Sequence, residues 1–233
     1  YYLYATYGGL TADGGDNMRL FRSENVMGPY LDAAGKNAAD SGSGNSSYGI
    51  KLMGNYEFYD QLGKKAAGHN SALIDDDGAH YLVHHQRFNI SPQTEQHELR
   101  IHQQFLNEDL WPVTAVYEYT GEEIAHYEDS QVIGSYEFIN HGTDSSGNML
   151  TTQFVNLNED GTVSGDYTGT WTKTGASDAQ GNDLGYDYLT LNIGDIVYKG
   201  IFFQQTNEAD SPQSVMTFSA FGNDNTSVWG SII

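Results

Sequence analysis

Histidines near predicted strands are the side chains whose type and position most readily suggest chemistry. His69 begins a predicted strand after a run of small residues, where an imidazole can bind a metal ion or transfer a proton. His84 and His85 are adjacent on another strand, so their side chains point to opposite faces and cannot bind one metal together. His97 and His102 also lie on or beside strands. We expect structural or surface roles for these four, whereas for His69 a ligand role and a structural role both stay open.

Acidic residues offer a second possible chemistry. Asp75-Asp76-Asp77-Gly78 presents the oxygen atoms that calcium prefers, but the downstream Glu of a twelve-residue calcium loop is missing and a strand follows at once. We therefore predict an exposed hairpin turn here. Asp and Glu number 31, so sequence spacing alone selects no pair for acid–base catalysis. The sequence also lacks the nucleophile-elbow, phosphate-loop, zinc-protease and dinucleotide-binding patterns.

Composition excludes several classes of protein. The 233 residues carry a formal charge of −21 and include no Cys. The absence of Cys rules out disulfides, thiolate metal sites and a cysteine nucleophile. The negative charge disfavours binding to nucleic acid or to an anionic membrane surface. Aromatic residues make up 13%, with 17 Tyr, which is typical of a folded, β-rich protein rather than a disordered acidic chain.

The first half of the chain contains a repeated pattern of short strands. Segments 1–7 and 18–23 form one unit, and segments 80–86 and 98–103 repeat the plan about 80 residues later. Such units bury their faces by stacking radially, as in a β-propeller. The second unit is preceded by an additional strand at 69–74, and we expect the matching strand of the first unit to lie before residue 1.

The second half differs in charge and patterning. Lys173 and Lys199 are its only Lys or Arg residues, so we predict a domain boundary between 118 and 119. Within it, Val163, Tyr167 and Trp171 alternate with polar residues, which predicts one half-buried strand over 162–172. Further alternating segments predict a small antiparallel β-barrel or sandwich.

Taken in order, a series of motifs resembles the arabinanases of glycoside hydrolase family 43. In the first half these are Tyr7-Gly8-Gly9-Leu10-Thr11-Ala12-Asp13-Gly14-Gly15, Asn17-Met18-Arg19, Phe21-Arg22-Ser23, Gly28-Pro29-Tyr30, Ala67-Gly68-His69-Asn70-Ser71, Gln86-Arg87-Phe88-Asn89, Phe105-Leu106-Asn107-Glu108-Asp109 and Trp111-Pro112-Val113. In the second half, Leu157-Asn158-Glu159-Asp160-Gly161-Thr162-Val163 and Gly169-Thr170-Trp171 resemble the C-terminal β-domain of the extracellular endo-arabinanases.

The resemblance implies an all-β fold. Residues 1–118 would be the last blades of a five-bladed β-propeller, and 119–233 a β-barrel accessory domain. It also implies inverting hydrolysis of α-1,5-L-arabinan by a secreted enzyme. The family's three catalytic carboxylates lie upstream of the Tyr-Gly-Gly loop, so no catalytic residue is expected in this chain, which would act with an N-terminal polypeptide of the same enzyme.

For binding sites, the resemblance implies that His69 holds a metal, calcium, at the propeller axis together with water molecules. Tyr7, Gly8, Gly9, Thr11 and Arg87 would border the arabinan cleft. Asp16 departs from the family pattern, since members often have Tyr at that position, and this could change loop packing or a sugar contact.

Two alternatives to an enzyme stay open. Tyr and Trp abundance supports a non-enzymatic carbohydrate-binding module built from residues 119–233. A lipocalin-like barrel that binds a small ligand is the other, and it depends on fold analogy alone.

Overall fold

The computed structural model describes residues 1–11, 14–42, 44–92 and 95–233. Nearly all of its regular structure is β-strand. The strands are β1 (Tyr2–Tyr7), β2 (Asn17–Arg22), β3 (Ile50–Met53), β4 (Tyr56–Glu57), β5 (Lys64–Ile74), β6 (His80–Phe88), β7 (His97–Leu106), β8 (Pro112–Thr114), β9 (Gly134–Asn140), β10 (Leu150–Thr151), β11 (Gln153–Leu157), β12 (Thr162–Gly165), β13 (Gly169–Ser177), β14 (Asp183–Ile193), β15 (Ile196–Thr206), β16 (Ser214–Gly222) and β17 (Ser227–Ile232). One helical turn, α1 (Asp129–Val132), and 3₁₀ turns at Ala38–Asp40 and Asn45–Ser47 complete the elements.

Two open sheets form the first half. Strands β1, β2 and β3 are antiparallel and adjacent in that order. The second sheet has the order β10-β4-β5-β6-β7-β8, and its strands β5 to β8 form an antiparallel meander. At its edge, β10 from the second half pairs with β4 in parallel. The strand units expected from the repeat are therefore present, and their closure into a propeller stays a prediction.

The turn between β5 and β6 is the predicted hairpin. The carboxylate of Asp75 accepts hydrogen bonds from the backbone N–H groups of Asp77 (3.1 Å) and Ala79 (2.8 Å). Gly78 adopts φ +82°, a conformation that Gly reaches without strain. The carboxylate of Asp75 thus stabilises the turn by hydrogen bonds to the backbone, a role that needs no calcium ion.

The second half closes into an eight-stranded barrel of order β11-β12-β13-β14-β15-β16-β17-β9. The sequence left barrel and sandwich open, and the structure shows the barrel. Large aromatic side chains, among them Tyr136, Phe138, Phe202 and Phe218, are buried together in its core. These side chains fill the interior of the barrel. A lipocalin-like role in holding a small ligand stays a prediction.

The single strand predicted over 162–172 is wrong. The chain turns after β12, and β13 returns antiparallel to it, with Val163 opposite Gly169. Gly165 takes φ +111°, and the Asp166 carboxylate accepts a hydrogen bond from the Phe154 N–H at 2.8 Å. These two features interrupt an alternation of apolar and polar residues that looked continuous in the sequence.

The sheets and the barrel share one hydrophobic core. Leu20, Leu82 and Val113 from the sheets pack in the same cluster as Phe203 and Trp229 from the barrel. The boundary at 118/119 stays a prediction, since the two halves pack together and β10 of the second half pairs in the sheet of the first. Among the described residues, no helix is long and apolar enough to cross a membrane.

Candidate functional site

The site is centred on His69, where the regular pairing of β5 and β6 is interrupted. The register shifts on both sides of Gly68, between Lys65 and Gly68 and between Gly68 and Ser71. His69 has φ +52° and an exposed side chain, and its N–H donates to Thr6 Oγ1 at 3.0 Å. Such bulges re-aim side chains. The sequence prediction that the imidazole of His69 is available to a ligand agrees with this exposure, although its metal role stays a prediction.

Asp16 and His85 lie behind His69 with unpaired polar atoms. Asp16 is only 1% exposed, and its Oδ2 has no hydrogen-bond partner among the described residues. His85 Nε2 is equally unpaired there and lies 3.8 Å from Asp16 Oδ2, which is beyond hydrogen-bond distance. The His69 and His85 rings are 6.4 Å apart between centroids. A carboxylate and two imidazoles therefore meet at this bulge.

Burial is the largest cause of the pKa shifts of Asp16 and His85. It raises the pKa of Asp16, against the opposing positive charges of Arg87 and His69. It lowers the pKa of His85, and the neighbouring Arg87 and His97 act in the same direction. Both shifts disfavour the charged forms, so an additional positive charge nearby would favour the ionised carboxylate.

Arg87 binds the loop after β1. Arg87 Nη2 donates to the Leu10 carbonyl at 2.8 Å, and its Nη1 forms an ion pair with Glu95 Oε2 at 2.7 Å. Gly8, at φ +102°, approaches Gly15 so closely that a Cβ would lie 2.3 Å from the Gly15 oxygen. Arg87 thus holds the loop of Tyr7, Gly8, Gly9 and Thr11 in place, and binding of substrate by these residues stays a prediction. Ala12 and Asp13 lie outside the described residues.

His84 and His102 have the buried structural roles that we expected. Both are fully buried on the opposite face of the sheet, with ring centroids 5.2 Å apart. His102 also stacks on Trp229 of the barrel at 6.3 Å. Burial lowers the pKa of His84 to about 4 and that of His102 to about 3, so both rings are neutral near pH 7. His97 lies near His85 instead, at 5.9 Å between ring centroids.

Sequence reasoning missed two residues of this region. Asp16 was noted only as a departure from a family pattern, and nothing in the sequence indicates its burial. Arg19 is fully buried and anchors the region, since it donates to Asn17 Oδ1 (2.5 Å) and to the carbonyl of Thr143 (2.6 Å). The signal that was available is its charge between the apolar residues Met18 and Leu20, which indicates a paired role.

The donor set fits a largely hydrated cation. Within the described ranges, no three His, Asp or Glu side chains converge on one metal position. The exposed imidazole of His69 and the unpaired carboxylate oxygen of Asp16 nevertheless provide one ligand and one nearby negative charge. A calcium ion held by His69 and water molecules would be compatible with both, although calcium usually prefers oxygen ligands.

Comparisons with known proteins support a glycosidase relationship. Residues 116–230 match the C-terminal lipocalin-like domain of glycoside hydrolase family 43. The extracellular endo-α-(1→5)-L-arabinanase 2 of Bacillus subtilis (strain 168) is 39% identical over 245 residues, which cover 99% of this chain and 50% of that protein. The extracellular endo-α-(1→5)-L-arabinanase of Thermotoga petrophila is 35% identical, with 99% and 49% covered. The chain thus spans about half the length of these curated relatives.

Solved structures show the same relationship in three dimensions. The glycoside hydrolase family 43 YxiA protein from Bacillus licheniformis superimposes with a TM-score of 0.90 at 40% identity, covering 100% of this chain and 52% of that one. An endo-1,5-α-L-arabinanase from Thermotoga petrophila RKU-1, in complex with TRIS, gives a TM-score of 0.90 at 34% identity, again with 100% and 52% covered. Residues 116–230 are therefore similar to the C-terminal lipocalin-like domain of glycoside hydrolase family 43, and the whole chain is similar in sequence and in structure to about half of each of these arabinanases.

Proposed function

We propose that the protein containing this chain is an endo-arabinanase that hydrolyses α-1,5-L-arabinan with inversion of configuration. The observation that carries this proposal is the sequence identity of 35–39% to two proteins named as endo-arabinanases, which extends over 99% of the chain. A match of this extent includes both the His69 region and the barrel. Both relatives are named extracellular, which supports secretion for this protein too.

The catalytic carboxylates belong, in this proposal, to the half of the relatives that the chain does not cover. In an inverting enzyme, an acid and a base flank the scissile bond about 6.5–9.5 Å apart, with room for the attacking water. The family resemblance assigns these groups to segments upstream of the Tyr7–Gly15 motif. The chain would then contribute the metal site, part of the cleft and the accessory barrel.

His69 would hold calcium in this enzyme, with water completing the coordination. The exposure of its ring and the unpaired oxygen of Asp16 support this role. When bound, a divalent cation supplies positive charge that favours the ionised forms of nearby carboxylates. The chain's own residues position the imidazole through the bulge of β5 and through the hydrogen bond from the His69 backbone to Thr6.

Arg87 would act on substrate through the loop that it holds. Arabinan is largely neutral, so aromatic stacking and hydrogen bonds to hydroxyl groups should provide most of its affinity. Tyr7 and the backbone of Gly8, Gly9 and Thr11 can supply such contacts, and the hydrogen bond from Arg87 to the Leu10 carbonyl fixes their position.

The test is hydrolysis of linear α-1,5-arabinan by the full-length protein. We expect shortened arabino-oligosaccharides, and proton NMR during the first turnovers should show the β-anomer, because inversion of an α-linkage gives a β-product. An α-anomer as first product would contradict inversion. No cleavage of arabinan under conditions where a family 43 arabinanase is active would contradict the proposed function.

The metal role of His69 has its own test. His69→Ala should reduce the calcium content of the purified protein and lower kcat. Ala at φ +52° is itself strained, so His69→Gly, which is relaxed at that angle, controls for the backbone. Metal analysis and turnover rates that match the wild type in both variants would remove His69 from the site.

A further inference from the structure

We propose that Asp16 is a positioning residue that retains the cation at His69 through its buried carboxylate, whose Oδ2 has no hydrogen-bond partner among the described residues. This inference rests on the proposed calcium site and adds a second determinant to it. The role of Asp16 is electrostatic: it contributes a negative charge behind the imidazole and need not be a ligand itself.

The placement of Asp16 is the first argument. Asp16 is the residue before β2, and it is only 1% exposed. Its side chain lies against the bulge of β5. A Cβ on Gly68 would lie 3.3 Å from Asp16 Oδ2 and 2.8 Å from Thr6 Cγ2, so the absence of a side chain at Gly68 makes room for the carboxylate. Gly68 is the residue before His69, and the carboxylate therefore lies against the same bulge that presents the imidazole.

The missing partner is the second argument. Burying a carboxylate oxygen without a hydrogen bond or a counter-charge is costly. Among the described residues, His85 is the basic side chain that comes within 4 Å of Asp16, at 3.8 Å. The charge of Arg87 acts on Asp16 from farther away, and its two Nη atoms bind the Leu10 carbonyl and Glu95. Asp16 Oδ2 thus has no direct partner in the described part of the chain, and its negative charge would attract a cation that binds at the exposed side of the bulge, where His69 lies.

The titratable side chains around Asp16 are compatible with a cation at the exposed side of the bulge. The titratable side chains that face Asp16 are His69, His85 and Arg87, with His97 beyond His85. The two Nη atoms of Arg87 are bound to the Leu10 carbonyl and to Glu95, and the His85 ring remains 3.8 Å from Asp16 Oδ2. Because Coulomb attraction scales with the charge of the ion, Asp16 would favour a divalent over a monovalent cation.

The experiment is calorimetric titration of calcium chloride into the metal-free, full-length protein. Asp16→Asn keeps the shape and removes the charge, and we expect its calcium Kd to be about tenfold weaker than that of the wild type. Its amide can donate to His85 Nε2, so the melting temperature of the calcium-free variant should be equal to or higher than that of the wild type. Asp76→Asn, an exposed turn residue on the same pair of strands, removes one charge elsewhere and should leave Kd unchanged.

The outcomes separate this inference from the proposed calcium site. If His69→Gly loses calcium while Asp16→Asn binds as tightly as the wild type, the role of Asp16 is wrong and the calcium site stands. If Asp16→Asn binds weakly but also melts at a lower temperature without calcium, Asp16 is structural and the inference is overturned. If the wild type does not bind calcium at all, both the calcium site and the role of Asp16 are wrong. Should Asp16→Asn fail to fold, Asp16→Ser is measured against the same criteria.

Discussion

Glu208 shows how a single buried charge joins the two halves of the molecule. It lies in the loop between β15 and β16, makes an ion pair with Lys64 at 2.7 Å and contacts the guanidinium of Arg100. Burial alone would raise its pKa, but Arg100 and Lys64 hold the pKa of this carboxyl at about 2. A carboxylate with a depressed pKa stabilises the folded state above its unfolded pKa of 4.5, and this contribution is lost as the pH falls toward 2.

We expect Glu208→Gln to lower the free energy of unfolding at pH 7 by about 3 kcal/mol, because buried Lys64 loses its carboxylate partner and buried Arg100 loses one of three. Glu98→Gln is the matched control, since Glu98 binds the same Arg100 at 2.7 Å but is exposed, and it should cost less than about 1 kcal/mol. Urea denaturation from pH 7 to pH 3 checks both. A difference between Glu208→Gln and the wild type that does not shrink below pH 4.5 would contradict the assignment.

At the scale of elements, the segment before α1 is bound to strand β14 by two carboxylates, those of Asp187 and Asp183. Asp187 accepts a hydrogen bond from the Tyr127 N–H at 2.7 Å and another from His126 Nδ1 at 2.8 Å. His126 Nε2 meets Asp183 at 3.0 Å. These contacts raise the pKa of His126, with Asp187 as the largest cause. The stabilisation from the charged ring is therefore present below pH 6.5 and lost as the pH rises through its raised pKa.

We expect Asp187→Ala to lower the pKa of His126 toward 6.5 and to destabilise the fold by about 1–3 kcal/mol, because the Tyr127 N–H loses its partner. NMR titration of the His126 ring and urea denaturation measure the two effects. Asp183→Ala, at an exposed position, should lower the pKa of His126 less. An equal or larger effect of Asp183→Ala would show that Asp187 is not the dominant contact.

The same scale shows what the sequence could and could not predict. Alternating apolar residues predicted the strands of the meander, and the Asp-Gly pair predicted the hairpin at Asp75. Both features depend on residues close together in sequence. The break between β12 and β13 was missed because Asp166 makes it by accepting a hydrogen bond from Phe154 on another strand. Asp16 was missed as a buried group for the same reason: Thr6 and Gly68, distant in sequence, enclose it.

On the scale of the whole molecule, the sheets and the barrel share a core, so we expect them to unfold together. Trp111 reports on the sheets and Trp171 on the barrel core. Two variants, each keeping one of these as the sole Trp with Phe at the other two positions, should give coincident urea transitions by fluorescence. Separate midpoints would show that residues 1–118 and 119–233 are independently stable, as the sequence boundary alone suggests.

The parallel pairing of β10 with β4 has a consequence for the order in which the chain is synthesised. Tyr56 pairs with Leu150 and Glu57 with Thr151, so this sheet edge stays open on the ribosome until residue 151 has left the exit tunnel. The meander of the first half can fold early, but the outer side of the edge strand β4 has no partner until β10 has been synthesised. A translation product that stopped at residue 118 would keep this open edge, and unpaired edges of this kind are templates for intermolecular association.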